Sequence, residues 1–182
     1  MRVIETLKTV EIPEDVDVKI DGRIVTIRGE KGELTRDFSH TPISVYLEGK
    51  IITIQANWPR KREAALVGTV CSHIQNMITG VTKGYTYKLK IVFSHFPISV
   101  KVKEKTVVIE NFIGERSPRV AKMMGDTRVS VNGEDVVIHG INVEDVSQTA
   151  ANIEKATKVK RKDHRVFLDG IYVYDRQEGM EE

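Results

Sequence analysis

Apolar and polar residues alternate in two short stretches of the chain that read almost alike. In residues 128–140 (RVSVNGEDVVIHG), valines alternate with polar residues, an Asn-Gly pair interrupts the pattern, and the alternation then resumes. Residues 44–54 (SVYLEGKIITI) repeat this order 84 positions earlier, with Gly49 where the second copy has Gly133. Such alternation is typical of half-buried strands, and the glycine between them is typical of a hairpin turn. Each stretch is therefore predicted to be a β-hairpin.

The repeat extends towards the N-terminal side of both hairpins. Residues 12–27 and 96–109 form a second similar pair, with an offset of 84 at their prolines and 82 at Ile27 and Ile109. The smaller offset predicts that the later of these two hairpins has a turn two residues shorter. One further alternating stretch opens each copy, at residues 4–10 and 85–92.

An amphipathic helix is predicted after each set of hairpins. Its apolar residues recur at helical spacing in the first copy at Val67, Val70, Cys71, Ile74, Met77 and Ile78. The stripe of the second copy is shorter and comprises Val146, Thr149, Ala150, Ile153 and either Ala156 or Thr157. Asn57 and Asn142 are candidate N-caps, and Gly80 is a candidate C-cap. A helix with one apolar stripe can cover the apolar face of a sheet.

These patterns predict an α+β protein of two tandem, duplicated domains. Each domain is expected to be a mostly antiparallel β-sheet packed against one main helix. The N-terminal domain is expected at residues 1–82, the C-terminal domain at 83–174, and a frayed polar tail at 175–182.

Composition narrows the class of protein without identifying it. The chain has 182 residues, a net charge of +2 and one cysteine. A single cysteine excludes an internal disulfide and a cysteine-rich zinc site. The sequence contains no apolar run near the roughly 20 residues that span a membrane, and its charged start is unlike a signal peptide. A cytosolic setting without membrane partners is expected, and any anionic partner must meet a local cluster of cations.

The two copies differ most clearly after their helices. Gly80 and Gly170, taken as equivalent, are 90 positions apart, so the second copy is expected to be about six residues longer here. The longer part is rich in cations: Lys155, Lys158, Lys160, Arg161, Lys162 and Arg165, with His164 among them. We call residues 155–165 the basic segment. A solvated loop is the simpler interpretation, but such a charged face also suits a phosphate backbone.

Two other segments are weaker candidates for an anion-binding surface. The stretch 111–128 is expected to form a loop and a short strand, and its candidate RNA contacts are Gly114, Arg116, Ser117, Arg119 and Lys122. A plain connection between strands is the alternative. Arg60, Lys61 and Arg62 stand at the start of the first helix, where the helix dipole disfavours cations. An exposed helix start is the simpler explanation for these three.

No catalytic or cofactor motif is found in the sequence. None of the five histidines has a partner at metal-ligand spacing, and Cys71 lies on the apolar stripe, where a small core residue is expected. Phosphate-binding glycine loops and serine nucleophile elbows are absent as well. No catalytic residue, metal, cofactor or small-molecule substrate is therefore predicted.

Several stretches together resemble one known family. They are VCSHIQNMITGVTKGY, HFPISV followed by NFIGE, KDHRVFLDGIYV, and IPEDVDV with GRIVTIRGEKGELTRDF in the first copy. In this order they resemble the large-subunit ribosomal protein L six family of the archaeal and eukaryotic type, called L nine in eukaryotes. The bacterial branch has a different basic motif at the place of VFLDGIYVYD.

The resemblance implies a structural, non-catalytic constituent of the large ribosomal subunit in the cytoplasm. It implies binding to large-subunit ribosomal RNA near the stalk base and the sarcin–ricin region, beside neighbouring ribosomal proteins and close to docked translation factors. The second domain is expected to make most RNA contacts, through the basic segment, Gly170, Tyr172 and the stretch from Gly114 to Lys122. Two alternatives remain open: a free-standing RNA-binding module, and a protein–protein adaptor that uses exposed sheet edges.

Overall fold

A computed structural model describes residues 5–160, 162–163 and 165–180 of the chain. The chain divides into two compact units, of which unit 1 ends at Lys83 and unit 2 begins at Gly84. None of the helices in the described ranges is long and apolar enough to cross a membrane.

Unit 1 packs one long helix against antiparallel strands. Its elements are β1 (Glu5–Glu11), β2 (Asp17–Asp21), β3 (Ile24–Gly29), β4 (Gly32–Asp37), β5 (Ser44–Glu48), β6 (Ile51–Asn57) and α1 (Lys61–Thr82). The strands pair in the orders β1–β6–β5 and β2–β3–β4. The helix buries Val67, Val70, Ile74, Met77, Ile78 and Val81 in a core shared with Ile27, Ile52 and Ile54. The helical stripe predicted from the sequence is thus the buried face of α1.

Unit 2 repeats this order and adds a strand at its end. Its elements are β7 (Tyr85–Val92), β8 (Ser99–Lys103), β9 (Thr106–Glu110), a 3-10 turn (Phe112–Gly114), β10 (Arg119–Lys122), β11 (Arg128–Asn132), β12 (Asp135–Gly140), α2 (Val143–Ala156) and β13 (Gly170–Glu178). The strands pair in the orders β10–β9–β8 and β11–β12–β7–β13. Val146, Thr149, Ala150 and Ile153 of α2 are buried, as predicted.

Strand register confirms that the two units are copies. Val45 lies opposite Ile54 in unit 1, and Val129 lies opposite Ile138 in unit 2, so both members of the pair are shifted by 84 residues. The same strands are antiparallel in both units, and each unit has its own hydrophobic core. The predicted α+β class with duplicated domains is therefore confirmed.

The predicted difference in hairpin length is wrong. Val18 pairs with Ile27 and Val100 pairs with Ile109, so both hairpins keep an offset of 82 and a two-residue turn. The offset of 84 was read from Pro13 and Pro97, which precede the strands. Strand pairing does not fix their positions, so their offset does not report the length of the hairpin. The copies differ in length at the next connection, which is two residues long between β3 and β4 but spans residues 111–118 between β9 and β10.

The helix ends are predicted less well than the helices themselves. Asn142 caps α2 as expected, since its side-chain oxygen accepts a hydrogen bond from the Glu144 N–H at 3.1 Å. In unit 1, however, Asn57 is the last residue of β6, and α1 begins after Arg60. Gly80 is buried inside α1 and is not its C-cap. Cys71 is half-buried against the core of unit 1 and is less enclosed than its place on the stripe indicates.

The expectation of a frayed tail from residue 175 is wrong for the described part of that segment. Residues 175–178 belong to β13 and pair with β7 from Lys88 to Tyr85. Beyond the strand, the Gly179 N–H donates to the Gly84 carbonyl at 2.8 Å. The polar side chains led to the prediction of a frayed tail. Backbone hydrogen bonds can hold an edge strand even when its outward side chains are polar.

Candidate nucleic-acid interface

Residues 158–160 of the basic segment follow α2 without regular secondary structure, and one apolar side chain fixes them to unit 2. Val159 is 5% exposed and lies in the hydrophobic core of the unit, whereas Lys158 and Lys160 on either side of it are exposed. Extended backbone turns successive side chains to opposite sides. Val159 therefore anchors the loop and directs its two neighbours to solvent, a role that helix periodicity could not predict.

Most other cations of the basic segment are exposed as well. Lys155, Lys162 and Arg165 are open to solvent. Arg161 and His164, which were predicted to contact RNA, lie outside the described residues. The exposed cations form a single charged stretch, although unit 2 as a whole carries nearly as many acidic residues as basic ones. Unit 2 therefore concentrates cations in one stretch while its net charge stays small. Such a local cluster of cations is what a contact with an anionic polymer requires.

Thr157 fixes the beginning of this loop against β13. Its hydroxyl donates to the Ile153 carbonyl at 3.3 Å and accepts from the Ile171 N–H at 3.1 Å. The side chain is buried, so both hydrogen bonds are shielded from water. The start of the basic segment is therefore held between the end of α2 and the start of β13.

Arg119 also holds the beginning of the loop, through backbone carbonyls on either side of Thr157. Its guanidinium donates to the two carboxylate oxygens of Glu115 at 2.8 and 2.6 Å, and to the carbonyls of Ala156 and Lys158 at 2.8 and 3.1 Å. It also lies over the ring of Phe112 at 4.2 Å. These partners occupy four of the five N–H donors of the guanidinium, which leaves little for a phosphate. Arg119, a predicted RNA contact, is thus placed to shape the basic segment.

The neighbouring cations lower the pKa of the Glu115 carboxylate. The hydrogen bonds from Arg119 lower the pKa of Glu115, and the charge of Lys160 lowers it further despite an opposing effect of burial. Glu115 consequently stays ionised next to the basic segment. It keeps Arg119 in place and belongs to the same local network as Lys160.

Asp169 fixes the far end of the loop. Its side chain is 1% exposed and accepts from the N–H groups of Ser94 and His95 at 2.7 and 3.4 Å, with the His95 Nδ1 at 3.3 Å. The His95 ring stacks on Phe167 with centroids 5.1 Å apart, and the Lys162 ammonium lies 4.5 Å from the Phe167 centroid. This chain of contacts joins the basic segment to the loop after β7. That loop carries no charge run, so sequence analysis missed it.

Acid should weaken this attachment. Burial alone would raise the pKa of Asp169, but the hydrogen bonds from Ser94 and His95 outweigh it and the pKa lies below its ordinary value. A depressed folded-state pKa stabilises the protein above the unfolded-state value of about 4. That stability is lost as the pH falls through the folded-state value. We expect Asp169→Asn to lower the free energy of unfolding by about 2 kcal/mol at pH 7 and by progressively less below pH 4.

Urea titrations followed by circular dichroism between pH 7 and pH 3 measure this difference. Asp126→Asn, at an exposed aspartate in the same unit, is the matched control and should behave like the unchanged protein. A constant difference between Asp169→Asn and the unchanged protein over the whole pH range would contradict the role given to the carboxylate.

The remaining predicted residues lie around this framework. Gly114 has a left-handed backbone (φ +74°), and Arg116 and Ser117 follow it on an exposed loop. Lys122, at the end of β10, lies beside Lys155 along an open groove between β10 and α2. Gly170 is buried, so it cannot itself contact RNA. Tyr172 remains exposed and donates from its hydroxyl to the Leu168 carbonyl at 3.2 Å.

The basic triplet at the start of α1 has a partner within its own helix. The backbone N–H of Arg60 donates to the Glu63 carboxylate at 2.8 Å, which places an acidic group at the positive end of the helix. An external anion is therefore not needed to complete this helix start. In the described residues, no group of three or more His, Cys, Asp or Glu side chains could hold a metal ion.

Comparison with known proteins gives a consistent result. The sequence model of the family described as Ribosomal protein L6 matches residues 12–84 and 96–170, one match in each copy. The chain is 50% identical over 182 residues to the large ribosomal subunit protein uL6 of Desulfurococcus amylolyticus, covering 98% of this chain and 99% of the relative. It is 52% identical over 183 residues to that of Methanosphaera stadtmanae, covering 100% of both chains. This chain therefore belongs to the ribosomal protein L6 family, in its archaeal type.

Proposed function

We propose that unit 2 binds large-subunit ribosomal RNA through the basic segment, with Arg116, Ser117 and Lys122 beside it. The observation that carries the proposal is that the chain is held on both sides of these cations. Thr157 and Val159 hold the start of the basic segment and Asp169 holds the chain shortly after its end, while Lys155, Lys158, Lys160, Lys162 and Arg165 are exposed.

Membership of the family supplies the general role. The chain is a structural constituent of the large ribosomal subunit, binds ribosomal RNA beside neighbouring ribosomal proteins, and is not an enzyme. Its place is the ribosome in the cytoplasm. The individual contacts of this chain are what the proposal adds.

A fixed loop suits this role better than a flexible one. Ordering a rotamer-rich side chain or a mobile loop on binding costs free energy that reduces affinity. Here the backbone is held at Thr157 and Val159 and again at Asp169, so less of the chain must be ordered on binding. The cations can meet phosphates, and the glycine-bearing loop near Gly114 can approach ribose hydroxyls closely. Double-stranded RNA is read largely by such contacts and by its shape.

Glycine and arginine positions within the predicted site have different roles in this proposal. Arg119 positions the basic segment, because its guanidinium is engaged by Glu115 and by backbone carbonyls. Gly170 packs against the ring of Tyr172 and does not itself contact RNA. Lys155, Lys158, Lys160, Lys162 and Arg165 make the phosphate contacts.

Sedimentation tests the ribosomal role against a free-standing RNA-binding module. The native protein should sediment with the large subunit in a sucrose gradient and remain there at moderate salt. A free-standing module would leave the subunit and sediment slowly, or with other ribonucleoproteins. An adaptor would give binding that hardly depends on salt, because sheet-edge pairing involves no counterion release.

The position within the subunit is part of the same proposal. The resemblance of KDHRVFLDGIYV and NFIGE to the family supports a position of unit 2 near the stalk base and the sarcin–ricin region, where translation factors dock in the family. Because Cys71 is the chain's single cysteine, Cys71→Ala with Ser117→Cys gives one labelling site on an exposed loop. A hydroxyl-radical probe tethered at residue 117 in reconstituted subunits should cleave rRNA in that region. Cleavage confined to other rRNA domains would contradict this location.

A further inference from the structure

Two exposed aromatic rings next to the basic segment each rest on a glycine. Phe96 is 45% exposed and Tyr172 is 43% exposed. An ideal Cβ at Gly114 would lie 3.2 to 3.4 Å from Cζ, Cε2 and Cε1 of Phe96. One at Gly170 would lie 2.8 to 2.9 Å from Cζ, Oη and Cε2 of Tyr172. A side chain at Gly170 would collide with the ring unless the ring moved, and one at Gly114 would be a tight fit, so both glycines leave room for a ring beside the backbone.

The distances also show which part of each ring meets its glycine. An atom at the edge of a ring is close to only one or two atoms of that side chain. An atom above the ring face lies at nearly equal distances from three bonded neighbours. Nearly equal distances are found at both Gly114 and Gly170. Each glycine thus lies over the face of a ring at its Cζ end.

Local contacts hold both rings in place. Asn111, with a left-handed backbone (φ +59°), donates from its side chain to the Pro97 carbonyl at 3.0 Å, directly after Phe96 in the chain. The Tyr172 hydroxyl donates to the Leu168 carbonyl. Asp169, which precedes Gly170, accepts hydrogen bonds from Ser94 and His95. The segments that carry the two rings are therefore fastened to each other as well as to the basic segment.

We propose that Phe96 and Tyr172 are stacking platforms for unpaired RNA bases beside the phosphate-binding basic segment. This proposal rests on the proposed function and adds the kind of RNA that is recognised: a bulge, loop or junction rather than a uniform duplex. An unpaired base can stack on an aromatic side chain whatever its identity. A ring whose other face is already packed loses little freedom on binding, so more of the stacking free energy is retained.

The charges nearby favour RNA over a protein partner at these rings. Lys162 lies over Phe167, which stacks on His95 next to Phe96. Cations beside open aromatic rings suit a ligand that offers both phosphates and flat bases. Apolar protein partners would have to cover the charged side chains of the same surface, at a cost in desolvation.

Two RNAs with equal numbers of phosphates provide the test. One is a hairpin with an unpaired loop that contains 2-aminopurine, and the other is a blunt duplex. The full-length protein carries Phe96→Leu or Tyr172→Leu, which keep apolar bulk but remove the ring. We expect each change to weaken binding to the hairpin by roughly 5- to 100-fold, with little effect on the duplex. The salt dependence should not change, and 2-aminopurine quenching should decrease.

Two controls separate stacking from other effects. Tyr172→Phe keeps the ring and removes the hydroxyl, so it should bind the hairpin nearly as well as the unchanged protein. Tyr46→Ala removes a tyrosine of 50% exposure from unit 1 and should have no effect. Circular dichroism of each variant excludes unfolding as the cause of a loss.

The outcomes distinguish this inference from the proposed function. If Lys158, Lys160 and Lys162 are needed for both RNAs while the leucine variants bind normally, base stacking is overturned and the phosphate site stands. If neither set of changes matters, the proposed function itself fails. Equal losses of affinity for the hairpin and the duplex would also overturn stacking. So would leucine variants that bind RNA normally but fail to recruit a neighbouring ribosomal protein.

Discussion

Replacing Lys158, Lys160 and Lys162 together with alanine should weaken binding to a large-subunit rRNA fragment by about 200-fold at 0.1 M salt. Each phosphate contact changes the logarithm of affinity by roughly 0.7 to 0.9 for each tenfold change in salt, so each is worth about sixfold between 1 M and 0.1 M. Three lost contacts should also make the salt slope shallower by about two to three. Filter binding across a salt series measures both quantities.

Stability should barely change in the same triple variant. All three lysine side chains are exposed, and surface charges contribute little to folding. The buried anchor Val159 and the hydrogen bonds of Thr157 remain in place, and loss of the exposed Lys162–Phe167 contact should cost no more than about 1 kcal/mol. A loss of affinity without a change in thermal unfolding therefore reports on the contact itself.

The triplet Arg60–Lys61–Arg62 supplies a matched control of equal charge. Its change to alanines removes three cations from unit 1, where the helix start already has Glu63 as its acidic partner. We expect a smaller loss of affinity and a smaller change in salt slope. If the triplet variant fails to bind while the lysine variant binds normally, the phosphate-binding surface lies in unit 1 and the proposed site is wrong.

Much of the fold could be predicted from the sequence because alternation and helical spacing record which side of each element is buried. The hairpins around Gly49 and Gly133 and the stripes on α1 and α2 are examples. β4 was not predicted, since the charged residue Arg36 takes a half-buried position and obscures its alternation. The later part of β13 was predicted to be a frayed tail, since its residues from 175 onward are polar and are held by backbone pairing.

The candidate site was predictable in its charges but not in its geometry. A run of lysines indicates where cations lie in the chain, and the exposed part of the basic segment agrees with this. Sequence alone does not show that Val159 is an anchor, because a single valine in a polar run has no periodicity. Nor does it show that Asp169 reaches Ser94, since the two residues are 75 positions apart and meet only through tertiary structure.

The Gly80–Gly170 comparison failed for a related reason. Gly80 lies inside α1, whereas Gly170 begins β13, and no strand follows α1 among the described residues of unit 1. Unit 2 therefore differs by an entire loop and strand rather than by an insertion of about six residues. The two glycines had been matched because each was taken to close the helical region of its copy, and neither does so.

Arg119→Lys should destabilise unit 2 and weaken RNA binding although the charge of the side chain is kept. Lysine cannot reproduce the planar fork that pairs with both oxygens of Glu115 while donating to the Ala156 and Lys158 carbonyls. Loss of part of this network should lower the free energy of unfolding by about 2 kcal/mol. Urea unfolding measures this change.

The effect of Arg119→Lys on RNA should differ in kind from that of the lysine triple variant. Affinity should fall because the basic segment is less well held, and ordering it on binding then costs free energy. The salt slope should stay near that of the unchanged protein, because the same cations still reach phosphates. Arg116→Lys, at an exposed arginine three residues earlier, is the matched control and should leave stability unchanged. If Arg119→Lys binds RNA as tightly as the unchanged protein despite its lower stability, the fixed course of the basic segment is not what gives the site its affinity.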